Sequence, residues 1–292
     1  MNLLLFMPAR RVCGCAGLLL LLAGAVSAQR TEASDPAPVE TPGIPPDDFT
    51  ERSVVTERPV LPYQPVRESD ILWESRIWRI VDVREKMNLP FAYPEAPLAQ
   101  ILGEAALAGE LTVYDPGDDK FSAVFPTQAL RDALYPTETI VTVDVETGLE
   151  NVQEVEQSPD WTAVKRFRIK EAWFFDTRTG ALRFRILGIA PMINVVNSQG
   201  DFMYERPLFW VHYPSARPLL ARQKAYLHGG NLAATTTWED LFEMRYFAAT
   251  VYKDNNLYNR RIEDYLTGVD ALYEAKRIND ALLHREHDVW AW

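Results

Sequence analysis

The stretch Lys165–Pro191, "KRFRIKEAWFFDTRTGALRFRILGIAP", alternates with a period of two on both sides of a turn. Phe167, Ile169, Trp173 and Phe175 interleave with Arg166, Arg168 and Lys170. After a turn closed by Gly180, Leu182, Phe184 and Ile186 interleave with Arg183 and Arg185. Successive side chains of a strand point to opposite faces, so this pattern predicts an antiparallel hairpin with one apolar face. The other face collects Arg168, Lys170, Arg183 and Arg185. Those cations either meet a partner or are neutralised internally by the acidic stretch Asp144–Asp160, which reads as a loop. "PLFWVHYP" (Pro207–Pro214) adds a further strand. The class expected is α+β: an antiparallel sheet, with its hairpin around residues 166–190, flanked by helices from the N- and C-terminal parts.

The helical signals lie on both sides of this core. Leu98–Ala108 reads as a short helix closed by Gly109. "LTVYDPGDDKFSAVF" (Leu111–Phe125) then reads as strand, turn, strand; its Asp-Pro-Gly-Asp is turn chemistry and lacks the alternating aspartates of a calcium loop. Thr237 and Asp240 form a capping box for a core helix expected over Trp238–Lys253. In the last helix Ala271, Ala275, Ile278 and Leu282 make a narrow apolar stripe. His284 and His287 fall on its polar face, where no third ligand is near enough in sequence to make a metal site.

"ESDILWESRIWRIVDVREKMNLP" (Glu68–Pro90) fits two periods. On a helical wheel Leu72, Trp73, Ile77, Ile80, Val81, Val83 and Met87 share one half, and Glu74, Ser75, Arg79, Asp82, Glu85 and Lys86 fill the other. With Ser69 as N-cap and Pro90 as stop, the expectation is a helix. Trp78 then stands in the charged half between Glu74 and Asp82. A tryptophan ringed by charge has the composition of an interface anchor, unless a second layer of the same chain covers it. Trp78, Arg79, Glu74 and Asp82, with the hairpin cations Arg168, Lys170, Arg183 and Arg185, are therefore the candidate partner interface. "LWESRIW" (Leu72–Trp78) also echoes "LFEMRYF" (Leu241–Phe247), as two related helical pieces would.

The ends of the chain carry a different composition. "MNLLLFMPARRVCGCAGLLLLLAGAVSAQR" has a basic start, an apolar run over Gly17–Ala25 and a small-residue site at Val26-Ser27-Ala28, the parts of a secretory signal over residues 1–28. Cys13 and Cys15 precede the apolar run, so the remainder contains no cysteine and is neither lipidated nor a disulfide scaffold. Removing the leader takes away Arg10 and Arg11 and no acid, leaving 28 basic against 41 acidic residues, a net charge of −13. So acidic a chain is a poor ligand for nucleic acid. Residues 29–67 hold eight prolines and read as an extended arm, either solvated or laid on a neighbouring molecule through Val60, Leu61 and Tyr63. Residues 68–292 make one domain.

No G-x-S-x-G, phosphate loop, His-Glu-x-x-His or cysteine nucleophile occurs after the leader, which lowers the expectation of an enzyme, and no cofactor is expected. Several segments together resemble the GldN/PorN family of the type IX secretion and gliding machinery. They are "LWESRIWRIVDVREKMNLPFAYP" (Leu72–Pro94), "LTVYDPGDDKF" (Leu111–Phe121), "IKEAWFFDTRTGALRFRILGIAP" (Ile169–Pro191), "LFWVHYP" (Leu208–Pro214), "VYKDNNLYNRRI" (Val251–Ile262) and "HDVWAW" (His287–Trp292). The resemblance implies a non-enzymatic structural subunit in the periplasm, attached to the inner face of the outer membrane. It implies assembly into a ring with a GldK/PorK-type lipoprotein and neighbouring copies, coupled to a GldL/GldM-type motor pair whose GldM/PorM-type member is a further partner. The rival expectations are a periplasmic enzyme or ligand-binding protein with a pocket over the apolar sheet face, and a chaperone for exported substrates.

Overall fold

The computed structural model describes residues 54–135, 137–143, 150–156, 158–197, 199, 201–227 and 234–290. The stretch expected to be a secretory leader, residues 29–53 of the proline-rich arm, and residues 144–149 and 157 of the Asp144–Asp160 stretch lie outside these. In chain order the elements begin β1 (Ile71–Asp82), α1 (Leu98–Leu107), β2 (Val113–Tyr114), α2 (Thr127–Leu134), β3 (Thr137–Val143) and β4 (Glu150–Glu156). They continue β5 (Arg166–Asp176), β6 (Ala181–Val196), β7 (Phe202–Pro207), β8 (Trp210–His212), α3 (Tyr213–Leu220), α4 (Trp238–Glu243), β9 (Thr250–Asp254) and α5 (Val269–Trp290).

The hairpin is the centre of the molecule. β5 and β6 pair antiparallel from Arg166↔Met192 to Asp176↔Ala181, with a bulge after Lys170. Its turn closes by a 2.8 Å bond from the Gly180 amide to the Asp176 carbonyl, and Gly180 sits at φ +62°, where a side chain would be strained. Among the described residues seven strands form one antiparallel sheet, ordered β2-β8-β6-β5-β1-β9, with β7 also on β6; β3 and β4 pair with each other in a separate ribbon. The fold is α+β, as the hairpin and its flanking helical signals predict.

Four expectations need correction. Glu68–Pro90 is not a helix: Ile71–Asp82 is strand β1, followed by a 3-10 turn over Lys86–Ala92. β1 lies between β5 and β9 and is covered on both faces, so apolar residues occupy consecutive positions (Ile77, Trp78) and the period of two is blurred. The helix expected over Trp238–Lys253 ends at Glu243. Arg245 adopts φ +52°, which turns the chain into β9. The matching segments Leu72–Trp78 and Leu241–Phe247 are consequently one strand and one helix with its exit turn, not a structural repeat. Glu150–Glu156, expected to be loop, is strand β4.

In the antiparallel registers, residues directly opposite share a face. Val81, Arg79 and Ile77 of β1 therefore lie with Phe167, Ile169 and Glu171 of β5. The helices cover this first face. Its main core joins Val81, Phe167, Ile169, Ile186 and Ile189 to buried residues of α1, α3 and α4. At its centre Phe91 packs on Phe167, Trp238 and Phe242 with ring centroids 5.1–5.8 Å apart. Each such ring contributes on the order of 2–3 kcal/mol by burial. α5 closes the β9 end of the same face, setting Ala275, Ile278 and Leu282 on Ile77 and Val251. The expected stripe of that helix is the stripe it buries.

Candidate functional site

The first face holds a buried carboxylate. Glu171 is fully buried, and its position in the alternation Phe167, Ile169, Glu171, Trp173 is one where an apolar residue is expected. Its Oε2 accepts from Arg79 Nε at 3.0 Å and from Trp173 Nε1 at 2.8 Å; its Oε1 accepts from Arg245 Nη1 at 2.6 Å. Arg79 Nη2 donates onward to Asn279 Oδ1 of α5 at 2.9 Å. The left-handed turn at Arg245 delivers its guanidinium here, 5.1 Å from the Trp173 ring. This node ties β1, β5, the α4–β9 turn and α5 together. Both its oxygens are occupied by protein donors, which suits it to holding elements in place rather than to proton transfer.

A second cluster seats the arm. Arg58 forks onto Asp240 with bonds of 2.6 and 2.8 Å. Tyr63 donates to Glu243 Oε1 at 2.5 Å, and Tyr213 donates to the same oxygen at 3.0 Å. Arg217, buried and paired with Glu239 at 2.5 Å, stacks on the Tyr63 ring at 3.9 Å. Burial and the Glu243 carboxylate push both phenols far above their ordinary range, so they remain donors. Arg185 Nη2 donates to the Gln64 carbonyl at 2.5 Å, and Arg183 Nη1 reaches Gln64 Oε1 at 3.3 Å. Residues 58–64 thus lie on their own domain and leave beneath them a cleft of about 670 Å³. The Tyr63 expected to anchor a neighbouring molecule anchors this one; Leu61 is 77 % exposed.

The remaining candidate interface residues do not form one exposed patch. Trp78 is 7 % exposed, on the second face of the sheet with Ala190, Trp210 and Tyr252. Arg79 is buried on the first face. Lys170, also buried, donates to the Asp119 carbonyl at 2.5 Å, and its ammonium sits 5.5 Å from the Trp78 ring and 5.4 Å from that of Phe121. The covering layer is the Asp115–Phe125 loop. Asp115 and Asp118 hold its turns by accepting from Gly117 N at 2.7 Å and Lys120 N at 2.9 Å. Asp82 pairs with Arg84 at 2.5 Å and Arg166 at 3.3 Å, and the exposed Glu74 pairs with Arg76 at 2.5 Å. The cationic hairpin face is therefore covered at one end by the arm and at the other by the aspartate loop. His284 and His287 are exposed on α5.

Sequence reasoning missed Glu171, Arg245, Glu243 and Arg217. Glu171 alone carried a signal, a charge at a core position of a strand. Arg217 and Glu243 lie on α3 and α4 and Arg245 in the turn after α4, and only the tertiary fold brings them to their partners. A family model described as "Gliding motility associated protein GldN" matches residues 66–291. No curated protein matches the chain.

Proposed function

The chain belongs to the GldN family of gliding-motility-associated proteins, and from that premise we propose that it is a non-enzymatic structural subunit of the type IX secretion machinery. In this reading it works in the periplasm, held at the inner face of the outer membrane by a GldK/PorK-type lipoprotein. There it joins neighbouring copies in a ring that a GldM/PorM-type motor protein engages. The observation that carries the reading is the extent of the match, which runs from the end of the arm to the end of the last helix. The geometry supports it. The buried charges around Glu171 and Arg217 are closed on one another in the manner of a scaffold, not opened toward a substrate.

The test is a tagged pull-down from gently solubilised outer membranes, followed by mass measurement of the eluted particle. A megadalton assembly containing a lipoprotein at fixed ratio is the expected result. A lone monomer of about 30 kDa, the size of one domain-scale chain, would overturn the reading in favour of an enzyme or binding protein. The cleft under the arm would then be the first place to seek a ligand.

A further inference from the structure

Four cations converge on one cavity on the second face of the sheet. Arg168 of β5, Arg206 of β7, Lys253 of β9 and Arg261 of the following turn line a space of about 560 Å³ beside Tyr252 and Trp210. Two carboxylates also border it, but each has a cation of its own. Asp119 lies 3.8 Å from Lys170, and Glu205 lies 3.1 Å from Arg166. Arg168 has no acidic partner among the described residues. Its guanidinium stacks on Tyr252 at 5.0 Å, and its Nε is buried with no hydrogen-bond acceptor. Four cations around one cavity of a protein with a net charge of −11, one of them without an acidic partner among the described residues, are a receptor geometry for an oxyanion.

The rim points to a polypeptide. β7 lines the cavity through Tyr204–Pro207 and, among the described residues, pairs only with β6, which leaves its outer edge open to a further strand. Phe202, Met203 and Tyr204 on that strand are more than half exposed. The chain also contains a strand of opposite character. β4, "ENVQEVE", has Glu150, Glu154 and Glu156 at register positions of one parity and, among the described residues, pairs only with β3; an isolated two-stranded ribbon is marginal in water. Guanidinium forks take carboxylates in bidentate fashion, which suits glutamates presented along an extended strand.

We propose that this cavity is a carboxylate receptor, and that its occupant is the glutamate-rich strand β4 of a second copy, laid along the open edge of β7. The inference rests on the assembly reading above and names a contact within it. Cavity on one copy and ribbon on the next make a heterologous interface, the type that repeats around a ring.

The test uses the full chain and two variants, Arg261→Glu and Glu154→Arg, each checked for an unchanged thermal midpoint. Sedimentation measures self-association, and a synthetic ENVQEVE peptide is titrated by tryptophan fluorescence beside the same peptide with glutamine at its three glutamates. Each variant alone should lose at least tenfold in self-association. An equal mixture should recover it, because every junction is then matched in charge. The acidic peptide should bind at least tenfold tighter than its glutamine counterpart, and Arg261→Glu should abolish that difference. Association undisturbed in Arg261→Glu would overturn the cavity assignment and leave the assembly reading standing. Peptide binding by a chain that stays monomeric at every concentration would overturn the second copy as occupant. Anionic phospholipid vesicles that bind in an Arg261-dependent way, where the peptide does not, would replace the carboxylate with a headgroup phosphate.

Discussion

Arg79 Nε lies 3.0 Å from Glu171 Oε2, in a site where Glu171 is wholly buried and Arg79 is 4 % exposed. Arg245 reaches the other oxygen of the same carboxylate at 2.6 Å. Replacing Glu171 by Gln leaves two guanidiniums facing a neutral amide in a buried site. Breaking a buried pair from one side costs about 3–5 kcal/mol. The expected result is a fall of that size in urea-unfolding free energy. A loss below about 1 kcal/mol, the level of an exposed pair, would show that water enters the node.

Trp78→Ala should act on the fold. The indole is enclosed by Tyr252, Trp210 and Ala190 and carries the Lys253 ammonium 4.4 Å from its ring centre. Truncation to alanine opens a cavity at a cost of about 3–5 kcal/mol. Denaturant melts should register this before any change in partner binding is meaningful. A variant of parental stability that fails to assemble would restore Trp78 to an interface.

Tyr63→Ala should release the arm without unfolding the domain. The phenol donates to Glu243, and its ring supports Arg217 and Arg185. Hydrogen exchange should rise at residues 58–64 while the amides of β5 and β6 keep their protection. The global cost should stay near 1 kcal/mol, the range of a partly exposed hydrogen bond. Uniform loss of protection would mean that the arm belongs to the core.

Asp82 should shape the acid limb of the stability curve. Hydrogen bonding from Arg84, then from Arg166, holds its carboxyl well below the ordinary 3.8. A depressed folded-state value gives stability that is fully present above the unfolded value and is lost as pH falls through the folded one. Asp82→Asn should therefore lower the urea midpoint by a constant amount from neutrality down to about pH 4 and by progressively less below it, where the parent carboxylate protonates. A difference that grows on acidification would reverse the sign and refute the pairing.

The parts of the fold visible in the sequence are those whose patterning is local. The β5–β6 hairpin alternates because one strand face meets the helix layer and the other meets shorter, polar cover. The Thr237–Asp240 box is a local bond pattern, and both of its bonds form, at 3.2 and 3.0 Å. β1 was hidden because burial on two faces fills adjacent positions, so a helical wheel sorts the same residues equally well. β9 was hidden because the chain leaves α4 through a left-handed residue, Arg245, and arginine gives no warning of that conformation in a sequence. The candidate interface residues are not one patch for a related reason. A helix would have put Trp78 and Asp82 on one charged stripe beside Arg79, whereas a strand sends Arg79 to one face of the sheet and Trp78 to the other.

The position of β1 in the sheet has a consequence for the order in which the fold closes. It is the first strand among the described residues, yet its neighbours are β5 and β9, and β9 ends at Asp254. Until β9 docks, one edge of β1 lacks the partner it has in the finished sheet, and α5, which covers Ile77, comes later still in the chain. Closure over such sequence distances is slow. The segment from β9 to the end of α5 is thus the latch that lets the rest lock.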